Sequence, residues 1–249
     1  MTEVVAPKQI GTALVISDDS VVIEQLASPL QQFAISLRVC PDIEKATELL
    51  DSRKFEAVIV DLVLGYNAMR LLQHVHNSPS NRTAVTFAIT SSREEAGLAL
   101  QRGAHFLLER PLDAESLNNT VRAAYGSILR ERRRYFRYAI AVPILLRPSG
   151  SPQLPGQLMN ISERGLALKT LVPLKTGSDA TVQFVLPDLT APITAEAKVC
   201  WSNEQGHAGF QFVALSAETN AKLSAWLAKR LEEQLPKNIS EEFGSPTEL

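Results

Sequence analysis

The chain has 249 residues, 45% hydrophobic and 21% charged, with a net charge of −2. That length suits two soluble domains, and the charge balance excludes a global drive toward nucleic acid or a membrane surface. Its two cysteines make neither a disulfide framework nor a metal cluster and fit a cytoplasmic protein, Met1 to Ile10 lacks a signal-peptide run, and no stretch nears the roughly 20 apolar residues of a membrane span.

Residues 1–11 read as a tail. Ala13 to Ile16 then predicts a buried strand that ends at Ser17-Asp18-Asp19-Ser20. Val22, Leu26 and Leu30 share one face of a following helix, and Leu37 to Cys40 is a second strand. Asp42 is placed to cap a helix carrying Ala46, Leu49 and Leu50. Ala57 to Val60 is a third strand, ending at Asp61, and Tyr66 to His76 is helical in pattern. Ala84 to Ile89 is a fourth strand, ending at Thr90, and Arg93 to Arg102 is a helix stopped by Gly103. Phe106 to Leu108 is a fifth strand, before Arg110-Pro111. Asp113 caps a last helix with Leu117, Val121, Ala124, Ile128 and Leu129 facing a core.

Continuous apolar strands alternating with helices predict a parallel sheet covered on both faces. Ligands of such sheets bind at the carboxyl ends of the strands. Asp18, Asp19, Asp61, Thr90 and Arg110 stand at those ends. Three carboxylates, a hydroxyl and a cation suit Mg²⁺ beside an acyl-phosphate on a nucleophilic aspartate.

This half, from Thr12 to about Gly126, resembles a response-regulator receiver domain. The resemblance implies a doubly wound, flavodoxin-like sheet of five parallel strands over residues 12–130. It also implies that Asp18, Asp19 and Asp61 hold Mg²⁺, that Asp61 accepts a phosphoryl group from a histidine kinase, and that Thr90 is the switch hydroxyl. Gly103-Ala104 and Pro111 match the frame of the last strand. Arg110 departs from the family, which has lysine there, and a guanidinium fork is not equivalent to a compact ammonium. Leu107 stands at the family's aromatic position, and Leu62-Val63-Leu64-Gly65 lacks the usual proline-glycine pair. The segment from Thr90 to Gly103 is shorter by roughly two residues, a change that loops tolerate. A receiver fold kept only for docking or homodimerisation is the competing reading.

The last helix is expected to run on into Arg130, Arg132, Arg133, Arg134 and Arg137, with no Pro-rich or Gly-rich linker between. A solvated helix end favours one or two cations, through the helix dipole, and accounts poorly for this density.

After Arg137 the pattern changes to short strands and turns. Ala139 to Leu146 is one strand, with Pro143 marking an edge or bulge. Gly156 to Ile161 and Leu166 to Leu168 flank a turn at Ser162–Gly165. Ala180 to Leu186, Ile193 to Trp201 and Ala208 to Val213 complete a small barrel, closed by a helix from Ala217 to Leu231. Residues 236–249 are polar and expected to be disordered.

This half resembles a PilZ domain. The family's R-x-x-x-R motif is Arg133 and Arg137, and its (D/N)-x-S-x-x-G motif is Asn160, Ser162 and Gly165. Ala208-Gly209-Phe210 meets its hydrophobic-Gly-hydrophobic pattern. The resemblance implies a six-stranded antiparallel barrel with a C-terminal helix, over residues 131–235, that binds the bacterial second messenger cyclic di-GMP. Guanidinium forks bond phosphate oxygens or the O6/N7 edge of guanine, and they stack on purines. Asn160 offers a donor and an acceptor to a guanine edge. Ser162 can bond a phosphate oxygen or nearby backbone, and Gly165 allows positive φ and close approach of a ligand. Arg132 is a further contact for a second, stacked ligand molecule.

His74, His76, His105 and His207 have no metal-ligand spacing, and no catalytic triad, P-loop or dinucleotide fingerprint occurs. Trp201 and Trp226 read as core or interface anchors. The sequence therefore predicts a non-enzymatic bacterial signalling protein that relays cyclic di-GMP to a protein partner controlling motility, exopolysaccharide or adhesion. A ligand-free adaptor acting only through protein contacts is the alternative. Nucleic-acid binding is disfavoured, because there is no recognition-helix pattern and the rest of the charge is acidic.

Overall fold

The computed structural model describes residues 9–234, so the expected C-terminal tail and most of the N-terminal one lie outside the described residues. The chain divides into two compact units, one ending at Arg132 and one spanning Arg133–Glu233.

The first unit alternates strands β1 (Gly11–Ile16), β2 (Ile35–Val39), β3 (Ala57–Asp61), β4 (Val85–Thr90) and β5 (Phe106–Glu109) with helices. The helices are α1 (Ser20–Gln32), α2 (Ile43–Ser52), α3 (Tyr66–Asn77), α4 (Arg93–Gln101) and α5 (Ala114–Tyr135). All strand pairs are parallel, in the order β2-β1-β3-β4-β5. Alternate residues of each strand feed two cores. Ala13, Val15, Ala57 and Ile59 meet α1 and α5, whereas Leu14, Ile16, Val58 and Val60 meet α2 and α3. A strand buried on both faces needs an apolar residue at every position, which is why these strands read as unbroken runs.

Local chemistry sets the helix starts. The Asp19 carboxylate accepts from the Val21 and Val22 amides at the head of α1, and Asp42 accepts from Lys45 N at the head of α2. Asp113 accepts from Ser116 N at 2.8 Å at the head of α5. Asn81, fully buried, accepts from Phe55 N and donates to the Leu50 and Arg53 carbonyls.

The last turns of α5 are held by charge. Glu131, 3% exposed, pairs with Lys54 and accepts a 2.6 Å bond from the Thr83 hydroxyl. Arg132 Nη1 lies 3.5 Å from Glu56 Oε1, and the other oxygen of Glu56 accepts from Thr12 N at 2.8 Å.

The second unit is a closed antiparallel barrel, in the order β10-β11-β8-β7-β6-β9. Its strands are β6 (Tyr138–Pro148), β7 (Leu154–Ser162), β8 (Gly165–Thr170), β9 (Asp179–Phe184), β10 (Ile193–Ser202) and β11 (His207–Ala214). β10 shows the alternation of a half-buried strand, with Ile193, Ala195, Ala197 and Val199 inside. Pro143 follows a register shift between Ala139 and Val142, just before β6 begins to pair with β9 at Ile144. The missing amide therefore sits where one neighbour is absent. Helix α6 (Ala217–Glu232) buries Leu223, Trp226, Leu227 and Leu231. Trp226 donates from Nε1 to the Pro187 carbonyl at 2.7 Å and meets Tyr138 edge-on at 5.2 Å. Trp201 is not a core residue. It is 49% exposed, and its indole lies where a Cβ on Gly209 would be, 2.0 Å from Nε1.

Two outcomes follow for the first unit. Glu131→Ala removes the buried acceptor of both Lys54 and Thr83, and denaturant melts should show a loss of about 2 kcal/mol. His105 Nδ1 accepts the Thr86 amide at 3.0 Å, and burial, with the edge-on His76 ring at 5.4 Å, holds its pKa below the ordinary 6.5. The unfolded chain thus binds a proton that the folded chain resists, so stability should fall as pH drops below 6.5 and level off once folded His105 is charged. In urea melts from neutral pH downward, His105→Asn, which keeps an acceptor, should show a shallower loss. Equal slopes would show that another group drives the change.

Candidate functional site

At the start of the barrel, α5 ends at Tyr135, and the chain turns through Phe136 and Arg137 into β6. Phe136 is 4% exposed in the barrel core, and its amide donates to the Arg133 carbonyl at 3.2 Å. That buried ring fixes where the exposed Arg137 emerges. Arg133 lies on the last turn of the helix and Arg137 beyond its end, so the two do not share a helical face.

Asn160 lies near the end of β7, paired with Ala139 of β6 on one side and Ala167 of β8 on the other. Arg137 Nη1 donates to Asn160 Oδ1 at 2.9 Å. The last residue of the arginine motif is thereby joined to the first residue of the other motif across 23 residues of sequence.

The rest of the turn behaves differently from expectation. The Ser162 hydroxyl, 5% exposed, donates to the Gly165 carbonyl at 3.0 Å. Of the two bonds foreseen for Ser162, the structure makes the one to backbone. Gly165 does not have positive φ, which corrects the sequence reading; among the described residues the positive-φ glycines are Gly65, Gly103, Gly150, Gly177 and Gly206. Its Cβ would stand 2.0 Å from the Phe210 carbonyl oxygen, so β11 demands glycine there. Arg132, the expected contact for a second ligand molecule, pairs here with the buried carboxylate of Glu56.

A second cluster lies at the carboxyl ends of the parallel strands. Asp61, 1% exposed, ends β3, and Arg110 follows β5. Arg110 spans two carboxylates: Nη1 donates to Asp19 Oδ2 at 2.9 Å and Nη2 to Asp61 Oδ2 at 2.5 Å. Ser17 Oγ donates to that same Asp61 oxygen at 2.7 Å, and Val63 N reaches Oδ1 at 3.3 Å. Sequence reasoning missed Ser17, whose signal was a hydroxyl just after the apolar run of β1.

The Arg110 hydrogen bond, followed by the Val22 amide, holds Asp19 below the usual carboxylate range. Desolvation opposes the charge on Arg110, but the bonds to Asp19 and Asp61 outweigh it and raise its pKa. Thr90 Oγ1 and Arg110 Nε are buried and have no hydrogen-bond partner.

These residues do not fit Mg²⁺ as the sequence reading expected. Asp18 is exposed, and Asp19 and Asp61 share the guanidinium of Arg110. Among the described residues, no group of three His, Cys, Asp or Glu could hold a metal ion. The physical reason is Arg110, whose planar fork puts a separate nitrogen on each carboxylate, where lysine offers one compact ammonium.

No curated protein matches this chain. NtrX from Brucella abortus, solved in complex with ADP, overlays at 22% identity, over 49% of this chain and 28% of that one, with a TM-score of 0.43. The receiver domain of sensor histidine kinase PA1611 from Pseudomonas aeruginosa, with a magnesium ion in its cleft, gives 18% identity, 47% and 98% coverage and a TM-score of 0.41. The inhibitor of motility from Bacillus subtilis gives 18% identity, 41% and 52% coverage and a TM-score of 0.36. The chain thus spans about half of the motility inhibitor and under a third of NtrX. Models of two domain families match, one in each half. Residues 13–122 form a response regulator receiver domain and residues 131–229 a PilZ domain, both in the same chain.

Proposed function

We propose that this is a bacterial, cytoplasmic signalling protein whose PilZ half binds cyclic di-GMP and passes its level to a protein partner controlling motility, exopolysaccharide or adhesion. PilZ domains bind this ligand in general. The observation that carries the reading for this chain is the 2.9 Å bond from Arg137 to Asn160, which joins two chemistries a guanine nucleotide needs.

In this reading, the forks of Arg133 and Arg137 bond the phosphate oxygens and the O6/N7 edge of guanine. Asn160 supplies an amide to the base edge and orients the Arg137 guanidinium. Ser162 and Gly165 act one step back: they shape the turn that presents Asn160. Arg133 lies on the last turn of a helix and Arg137 precedes a strand, so ligand binding draws this arginine segment against the barrel. Output requires the ligand to prefer one arrangement of that stretch over another. No chemical transformation of the ligand is part of the proposal.

Titration calorimetry with cyclic di-GMP tests it. Wild type should bind at micromolar concentration or below, and the Arg133→Ala, Arg137→Ala double variant should bind about a hundredfold more weakly, the loss of two charge-assisted contacts. Asn160→Ala should weaken binding by about tenfold. A folded wild type that gives no heat at micromolar ligand would sink the reading and favour the protein-contact adaptor.

A further inference from the structure

We infer that the receiver half carries its own cation: Arg110 stands between Asp19 and Asp61 in place of a divalent metal, so this acidic end neither takes up Mg²⁺ nor accepts a phosphoryl group on Asp61. The inference rests on this end of the sheet alone and is independent of the cyclic di-GMP reading.

The first argument is occupancy of the oxygens. Asp61 Oδ2 accepts both Arg110 Nη2 and the Ser17 hydroxyl, while Oδ1 faces the Val63 amide. Asp19 Oδ1 caps α1 through the Val21 and Val22 amides, and Oδ2 takes Arg110 Nη1. A metal bridging Asp19 Oδ2 and Asp61 Oδ2 must displace the guanidinium from both. Arg110 cannot leave by losing its proton, because guanidinium stays charged at any physiological pH. It is also tethered, so dilution does not weaken it as a competitor.

The second argument is access. Asp61 is 1% exposed, and its Oδ2 lies against the guanidinium, so a phosphodonor has little open carboxylate surface to approach. The third is what the fold leaves unpaired. Thr90 Oγ1 and Arg110 Nε are both buried without partners, while both Nη groups of Arg110 are engaged. The arginine is placed for the carboxylates, at the expense of its own Nε and of the neighbouring hydroxyl.

The consequence is a receiver fold with one resting state, set by composition rather than by a kinase. A lysine at the same position would hold the two carboxylates less firmly, since its ammonium is a point charge on a flexible stem without the rigid fork.

The experiment uses the full chain. MgCl₂ is titrated by calorimetry, and acetyl phosphate with Mg²⁺ is followed by intact mass. Wild type should give no binding heat at millimolar Mg²⁺ and no phosphoryl mass. Arg110→Lys should bind Mg²⁺ at least about tenfold more tightly than wild type, and adding Asp61→Asn to it should abolish the gain. Wild type that binds Mg²⁺ or gains phosphoryl mass overturns the inference. So does failure of both Arg110→Lys and Arg110→Ala to bind Mg²⁺ while their circular dichroism matches wild type. If Arg110→Ala does not fold, the lysine variant, which keeps the charge, decides alone.

Discussion

Three carboxylates in the first unit are almost out of reach of water: Asp61, Glu56 and Glu131, at 1%, 4% and 3% exposure. A buried carboxylate without a cation or hydrogen-bond donors is far too costly for a domain of ordinary stability. Each therefore recruits a cation: Arg110 for Asp61, Arg132 for Glu56 and Lys54 for Glu131. The partners come from distant points of the sequence, so these pairs fix tertiary positions that local propensity leaves open. One fixes the loop after β5, and the other two fix the last turns of α5.

The same constraint divides the arginine cluster. Arg132 and Arg137 are five residues apart in sequence but serve different masters. Arg132 answers a buried charge inside the first unit. Arg137 is exposed and answers Asn160, with Phe136 between them anchored in the barrel core. Helix α5 therefore does two jobs along its length. Up to Arg132 it completes a domain, and its last turn leads into Phe136 and Arg137, which belong to the barrel.

The barrel reaches its geometry by backbone crowding more than by charge. Gly165 is required by the Phe210 carbonyl, and Gly209 by the indole of Trp201. Ser162 spends its hydroxyl on the turn itself. Within the motif, the Asn160 side chain is bonded to Arg137, while the Ser162 hydroxyl closes the turn. The signature in sequence is the same for both roles, because a turn that must hold a contact in place needs its small and polar residues as strictly as the contact does.

The sequence by itself determined the two architectures. Unbroken apolar runs spaced by amphipathic stretches point to a sheet buried on both faces, and strict alternation in segments such as Ile193 to Val199 points to a wall with one wet side. It also suggested, through the resemblance to the PilZ family, that Arg137 and Asn160 act together. Only the tertiary structure decided which charges meet. That Arg110 spans Asp19 and Asp61, that Arg132 belongs to Glu56, and that Gly165 yields to a strand some 45 residues later are long-range pairings. No local period encodes them, because each depends on where two remote pieces of backbone come to rest.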